Sequence, residues 1–254
     1  MSTTCYLICL QKTERQIKRH KYMNKNTLLF ITAFFLLFSL NTTSAQSQSI
    51  HFFGSYDRSF GNLIASVSSS LGNIEQDEVS KLKNGSVNQF ELGAFINSFG
   101  LGIIHNTYST NATTNFENYD IDRDGRLDNG QLNDKLSLKF TGLEVLYKKA
   151  VFSSRFDVLW KIAFGIQSYS IDKRTQFSND YYQRDDTQTL TGSIFTGLIG
   201  AGFDYHINKI LSVGIETSLL PGKYKKLKDK ASDYYTYEDN VSRLSTGLKL
   251  TLTL

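Results

Sequence analysis

From Phe156 to Ile166 the chain alternates without interruption. Phe156, Val158, Trp160, Ile162, Phe164 and Ile166 share one face, while Asp157, Leu159, Lys161, Ala163 and Gly165 share the other. A period of two held this long demands an extended strand with one wholly apolar face, and it is incompatible with an amphipathic helix. The C-terminal segment repeats the pattern: Leu244, Leu248, Leu250, Leu252 and Leu254 interleave with Arg243, Ser245, Gly247, Lys249, Thr251 and Thr253. Leu211, Val213, Ile215 and Leu219 likewise alternate with Ser212, Gly214, Glu216 and Ser218. Leu136, Leu138 and Phe140 start another strand, but the apolar phase flips near Gly142 to Leu143, Val145 and Tyr147, so a β-bulge is expected at Thr141-Gly142. Weaker strands read from Ile50 to Phe60, Val87 to Asn97, Leu101 to Thr110 and Thr189 to Tyr205. The last has apolar residues on both faces and glycines at 192, 197, 200 and 202, which suit close packing or bends. The total is eight strands and no convincing helix.

The connectors alternate long and short. Phe60 to Val87, Thr110 to Leu136, Ile171 to Thr189 and Pro221 to Val241 are long and polar; Asn97 to Leu101, Tyr147 to Ser154 and Tyr205 to Leu211 are short. Short turns at one end, long loops at the other and an even strand count are the asymmetry of an outer-membrane barrel with both termini on the periplasmic side. The expected fold is therefore all-β: an up-and-down antiparallel eight-stranded transmembrane β-barrel over residues 46–254. The only proline, Pro221, falls in a long loop and costs the ladder nothing. A soluble, lipocalin-like barrel also alternates, with its apolar face turned inward. Three features favour the membrane form. The less apolar faces carry Gly, Ser, Thr and sparse charges of both signs; the strands are long enough to cross a bilayer at a tilt; and aromatics cluster near strand ends as a girdle (Phe90, Phe99, Tyr108, Tyr147, Phe152, Tyr169, Phe203 and Tyr205).

Ahead of the strands, Met23-Asn24-Lys25-Asn26, the apolar run Leu28 to Leu40 and Thr43-Ser44-Ala45 read as a secretory signal peptide cut after Ala45. Residues 1–22 then form an upstream extension, with Met23 the expected true start. The run is shorter than the roughly 18 residues of a membrane-spanning helix. Both cysteines, Cys5 and Cys9, lie upstream of it, which excludes a disulfide scaffold or a Cys-ligated metal site downstream. The leader holds six of the 28 basic and one of the 24 acidic residues, leaving 22 against 23, a net charge near −1. The basicity thus belongs to the leader and gives no support to nucleic-acid binding.

The terminal Ser245-Thr246-Gly247-Leu248-Lys249-Leu250-Thr251-Leu252 resembles the assembly signal of bacterial outer-membrane barrels, and residues 46–254 as a whole resemble the small barrels of the OmpX, OmpW and PorT-like type. The final residue is Leu254, where many relatives end in an aromatic. The resemblance implies an outer-membrane location and a C-terminal strand read by the barrel-assembly machinery. It also implies contact with outer-membrane lipid and lipopolysaccharide, and a monomeric state.

Asp120, Asp122, Asp124, Gly125 and Asp128 match a calcium loop at positions 1, 3, 5, 6 and 9, with Gln131 in place of the bidentate Glu at position 12. A weak, loop-stiffening Ca2+ site is one reading, and an Asx-rich external turn is the other. Seven inward charges, Glu91, Glu144, Asp157, Lys161, Glu216, Arg243 and Lys249, are expected to pair across the lumen, Glu216 with Lys249 foremost. They either gate a narrow pore or satisfy a closed polar core. Downstream of the leader only His51, His105 and His206 remain, and the His-any-Ser pattern of barrel lipid A deacylases is missing, because Asn106 and Thr107 follow His105. No enzymatic activity and no required cofactor are expected. Lys223-Tyr224-Lys225-Lys226-Leu227-Lys228 makes the fourth loop basic and aromatic, suited to lipopolysaccharide phosphates or to plain solvation. The functional expectation is an integral outer-membrane barrel of structural or surface-interaction type.

Overall fold

The computed structural model describes residues 50–64, 80–121, 124–179, 181–229 and 235–254. The signal peptide, the cleavage point at Ala45 and the proposed start at Met23 lie outside the described residues. Ten strand segments follow one another: β1 (Ile50–Leu63), β2 (Asn84–Ile96), β3 (Phe99–Tyr119), β4 (Asp128–Val151), β5 (Ser153–Ser178), β6 (Gln183–His206), β7 (Leu211–Leu220), β8 (Lys223–Asp229), β9 (Tyr235–Asn240) and β10 (Arg243–Thr253).

All pairings are antiparallel. β1 to β6 pair in order, β6 continues to β7, β7 to β10, and β10 returns to β1, closing a ring of eight. β8 and β9 continue β7 and β10 upward beyond Pro221-Gly222 and Val241-Ser242, and they pair with each other. From Phe52, successive partners are Ala94, Leu101, Val145, Ile162, Ile199, Leu219 and Leu244, and the path re-enters β1 at Asn62, ten residues farther along. A shear of ten over eight strands tilts them by roughly 40° and leaves a lumen just wide enough for side chains.

The outward side chains of the lower strands form an apolar belt. Trp160, Ile162, Phe164 and Ile166 on β5, Leu101 and Ile103 on β3, and Leu248, Leu250 and Leu252 on β10 are all exposed. Their inward neighbours include Ser55, Glu91, Lys161, Glu216 and Lys249, all buried. At roughly 2.5 Å of rise per tilted residue, the belt spans about 25 Å, the height of a barrel's lipid-facing band. This apolar exterior over a charged interior is the reverse of a lipocalin-like barrel, and it corrects that alternative. It is what hydrocarbon surroundings require.

Three expectations are corrected. No bulge occurs at Thr141-Gly142, since Thr141 pairs with both His105 and Ile166, and Gly142 with both Ile104 and Gly165, in unbroken register. The phase flips because surroundings change along a regular strand: Leu136, Leu138 and Phe140 point inward above the belt, and Leu143 points outward within it. Second, three of the four long polar connectors, Thr110 to Leu136, Ile171 to Thr189 and Pro221 to Val241, are largely ladder. β3 runs to Tyr119, β4 starts at Asp128, and the β5–β6 hairpin turns only at residues 179–182, because cross-strand pairs continue above the belt. Third, Tyr108 and Tyr169 are not girdle residues; both are buried in an apolar cluster with Leu136, Ile171, Leu190 and Tyr224 that caps the lumen. At the lower rim, Asn97 (φ 56°) makes the β2–β3 turn, and the exposed Phe152 (φ 61°) makes the β4–β5 turn in a left-handed conformation that strains a bulky residue.

Candidate functional site: a charged lumen layer and a blade above the belt

With a shear of ten, constant height is kept only by shifting about 1.25 residues per strand. On that construction Asp57, Glu91, Glu144, Lys161, Glu216 and Lys249 fall in one layer near mid-belt, although their positions in the chain are far apart. Inward glycines make room. A Cβ on Gly200 would lie 2.8 Å from Lys161 Cε, and one on Gly102 would lie 2.7 Å from Glu144 Oε1.

The layer is built on a square of ion pairs. Lys161 Nζ contacts Glu91 Oε1 and Glu216 Oε1, while Lys249 Nζ lies 2.9 Å from Glu91 Oε2 and 3.1 Å from Glu216 Oε2. Gln89 Nε2 donates to Glu91 Oε1 and Glu216 Oε1, each at 2.8 Å, and Ser55 Oγ donates to Glu91 Oε2 at 2.7 Å. Burying four charges is tolerable only because each ammonium serves both carboxylates and the Gln89 amide and Ser55 hydroxyl donate to remaining lone pairs. Asp57 accepts from Ser59.

The other lumen charges are dispersed. Arg243 donates upward of the square to Asn106 Oδ1 and stacks 5.2 Å from the Tyr108 ring centroid; Asn106 Nδ2 in turn donates to Gln89 Oε1 at 3.0 Å. Arg243 therefore meets the square only through two amides. Asp157 sits at the lower rim, 2.7 Å from His206 Nε2 and 3.8 Å from Lys148 Nζ. Glu144 shares the layer, but neither of its carboxylate oxygens has a hydrogen-bond partner among the described residues. Asp57, Gln89 and Asn106 were not singled out from sequence. The polar run Ser55, Asp57, Ser59 at period two is the signal that marks β1's inward face.

Above the belt, the upper halves of β3, β4, β5 and β6 stand as a blade that is joined along β6 to β8 and β9. Its outward face is polar and bonded to itself. Thr113 Oγ1 donates to Asn133 Oδ1 at 2.7 Å, Gln131 Nε2 to Asn115 Oδ1 at 3.0 Å, and Arg174 to Asp185 through Nε at 2.9 Å and Nη2 at 2.6 Å. Hydrogen bonding to Arg174 holds the Asp185 carboxyl below its ordinary range.

The two hairpin tips are stapled together. Asn179 Nδ2 donates to Asp128 Oδ1 at 3.0 Å, Tyr182 Oη to Asp124 Oδ2 at 3.2 Å, and Arg126 lies 4.3 Å over the Tyr181 ring. The proposed calcium residues are partly engaged: Asp120 accepts from Gly125 N at 3.0 Å, Asp124 from Arg126 N at 2.9 Å and Asp128 from Ile121 N at 3.3 Å. Gly125 takes φ 86°, which its lack of a side chain permits. Asp122 lies outside the described residues. Among the described residues no three His, Cys, Asp or Glu groups converge as a metal site. Along β8, Tyr224 and Leu227 point into the cap, while Lys223, Lys225, Lys226 and Lys228 are exposed just above the belt. His105 faces outward and bonds Thr141 Oγ1 at 2.8 Å.

No family model matches the chain, and no curated protein matches it. Among solved structures it is similar to Neisserial surface protein A (12% identity, 79% of this chain, 96% of that chain, TM-score 0.40). It is also similar to outer membrane protein AlkL in lipid bilayers (13% identity, 84% and 94% covered, TM-score 0.45). A third likeness is to the outer membrane protease OmpT from Escherichia coli (10% identity, 84% and 97% covered, TM-score 0.37). The argument for function therefore starts from the residues of this chain.

Proposed function

We propose that this protein is an integral outer-membrane barrel of surface-interaction type, a closed and stiff platform that holds the β3–β6 blade outside the cell. The observation that carries this reading is the inversion along one regular strand pair. On β4 and β5 the apolar residues face outward at Leu143, Ile162, Phe164 and Ile166, then inward at Leu138, Leu136, Tyr169 and Ile171, with the ladder unbroken. Two solvents along one strand, lipid below and water above, account for that pattern.

In this reading export follows the signal peptide, the short turns face the periplasm, and the C-terminal strand β10 engages the barrel-assembly machinery. The exposed lysines of β8 sit at the height of lipopolysaccharide phosphates. The barrel works as a monomer without catalysis. The stapled tips of the blade form the contact surface, and Ca2+ bound at Asp120, Asp122, Asp124 and Asp128 stiffens them further. The layered filling of the lumen favours a platform over a conducting pore.

The test is envelope fractionation with gel mobility before and after boiling. The reading expects an outer-membrane protein with a heat-shifted band; a soluble periplasmic protein without the shift would overturn it.

A further inference from the structure

The upper edge of the apolar belt is not level. On β2, β3 and β4 the last exposed apolar side chains are Phe90, Ile103 and Leu143; on β5 and β6 they are Ile166 and Phe195. Thr141 pairs with Ile166, and Ile166 with Phe195, so polar and apolar outward residues meet at the β4–β5 seam. With a climb of about 1.25 residues per strand, the edge on β2–β4 lies roughly four residues, about 10 Å, below the edge on β5 and β6.

A polar, cationic wall fills the step. Arg58, Asn88, Thr107 and Lys139 are successive cross-strand partners, three strand spacings or about 14 Å from end to end. Tyr56 Oη donates to Asn88 Oδ1 at 2.9 Å, which leaves the Asn88 amide nitrogen to donate elsewhere. Arg58 is exposed and follows Asp57, so it stands about one residue, or about 2.5 Å, above the mid-belt layer. The next outward side chain above it on β1 is the exposed Phe60 rather than a polar residue. Among the described residues neither Arg58 nor Lys139 has an ion-pair partner, and no carboxylate projects outward from β1–β4 below Glu117 at the blade tip. A cation facing hydrocarbon at that depth is destabilising unless an anion accompanies it.

The wall narrows the choice of anion. A second copy of the chain would set Arg58 and Lys139 against like charges. Above the row, the partners Ser86, Ser109 and Ser137 carry the polar surface on toward the blade, so a headgroup reaches it from the external leaflet without crossing hydrocarbon. A guanidinium fork beside an amide, a hydroxyl and an ammonium suits the oxygens of a phosphate.

We propose that the β1–β4 wall docks a lipid A phosphate of lipopolysaccharide, with Arg58 and Lys139 as the charged contacts and Asn88 and Thr107 as hydrogen-bonding ones. The proposal rests on the outer-membrane reading and adds a lipid contact on the side of the ring opposite β7, above which β8 stands.

The test folds the full barrel in dodecyl maltoside, which has no phosphate, and adds intact lipid A, lipid A stripped of phosphate, or phosphatidylglycerol. The readouts are the urea unfolding midpoint and the lipid retained, counted by native mass spectrometry. Wild type should gain stability from intact lipid A alone. Arg58→Leu should match or exceed wild type in detergent alone, yet retain at least about fivefold less lipid A and lose most of the gain. Lys139→Gln should lower retention in the same direction, and Arg58→Gln replaces Arg58→Leu if the latter fails to fold. Equal gains from intact and stripped lipid A, or from phosphatidylglycerol, overturn the proposal. So does retention unchanged by the Arg58 and Lys139 variants, or an acidic protein cross-linked at position 58 in the envelope in place of lipid. A barrel absent from the outer membrane fails the platform reading itself; a heat-shifted outer-membrane barrel indifferent to Arg58 fails this proposal alone.

Discussion

Lys161→Met cuts two sides of the buried square while keeping most of the side chain's volume. Lys161 is 2% exposed and contacts both Glu91 and Glu216, so its loss leaves Lys249 alone to offset two buried carboxylates. Removing one partner of a buried pair costs about 3–5 kcal/mol, because the other charge stays desolvated. That is roughly two to three and a half orders of magnitude in the folding equilibrium. Adding Glu216→Gln restores a one-to-one balance between Lys249 and Glu91, so the double variant should recover about half or more of the loss, a coupling of roughly 2 kcal/mol. The assay is reversible denaturant unfolding in detergent, read by tryptophan fluorescence from Trp160. A Lys161→Met variant within about 1 kcal/mol of wild type, or a double variant no better than the sum of the singles, would refute the argument that the square acts as one neutral unit.

On the lipid side, Ile162→Arg near mid-belt should cost about 2–4 kcal/mol in the same unfolding assay, while Ser170→Arg above the belt should cost under about 1. Gly142→Ala would put a Cβ 2.6 Å from the Phe164 carbonyl and 2.9 Å from Phe140, so it should destabilise by about 1–3 kcal/mol; a neutral result would mean the strands part more easily than the register suggests. Phe152→Gly should gain about 1 kcal/mol by relieving its left-handed conformation, measurable as a higher denaturation midpoint. At the tips, Asp128→Ala removes the acceptor of Asn179 and should speed protease cleavage of the blade without changing the unfolding of the barrel. Calcium should slow that same cleavage in wild type, and identical cutting with calcium and with chelator would end the calcium reading.

The eight-membered ring was legible because the belt imposes one rule on every strand, an apolar outward face, whereas the inward face mixes polar residues with buried Phe53, Phe95, Leu146 and Leu159. Phe156 to Ile166 and the C-terminal leucines obey it throughout. The blade was not legible, because above the belt the rule reverses, and Tyr108, Leu136 and Ile171 turn their bulk inward as in a soluble sheet. A period-two pattern that changes sign in phase looks like a bulge, and polar outward residues such as Asn115, Asn133 and Gln176 look like loop. Among the charges, sequence spacing identifies which side chains face inward but not their height. The shear of the barrel gathers Glu91, Glu144, Lys161, Glu216 and Lys249 into one layer and leaves Asp157 at the rim and Arg243 beneath the cap.

The inversion along β5 is open to one direct measurement: single cysteines placed at 160, 162, 164, 166, 168, 170, 172 and 174, spin-labelled in lipid vesicles, with collision rates to oxygen and to a polar nickel chelate compared. The account predicts lipid-like collision with oxygen from 160 to 166 and a switch to the water-soluble chelate from 168 onward, all on one face of one continuous strand. Chelate access along the whole series would contradict it, for the belt would then face water.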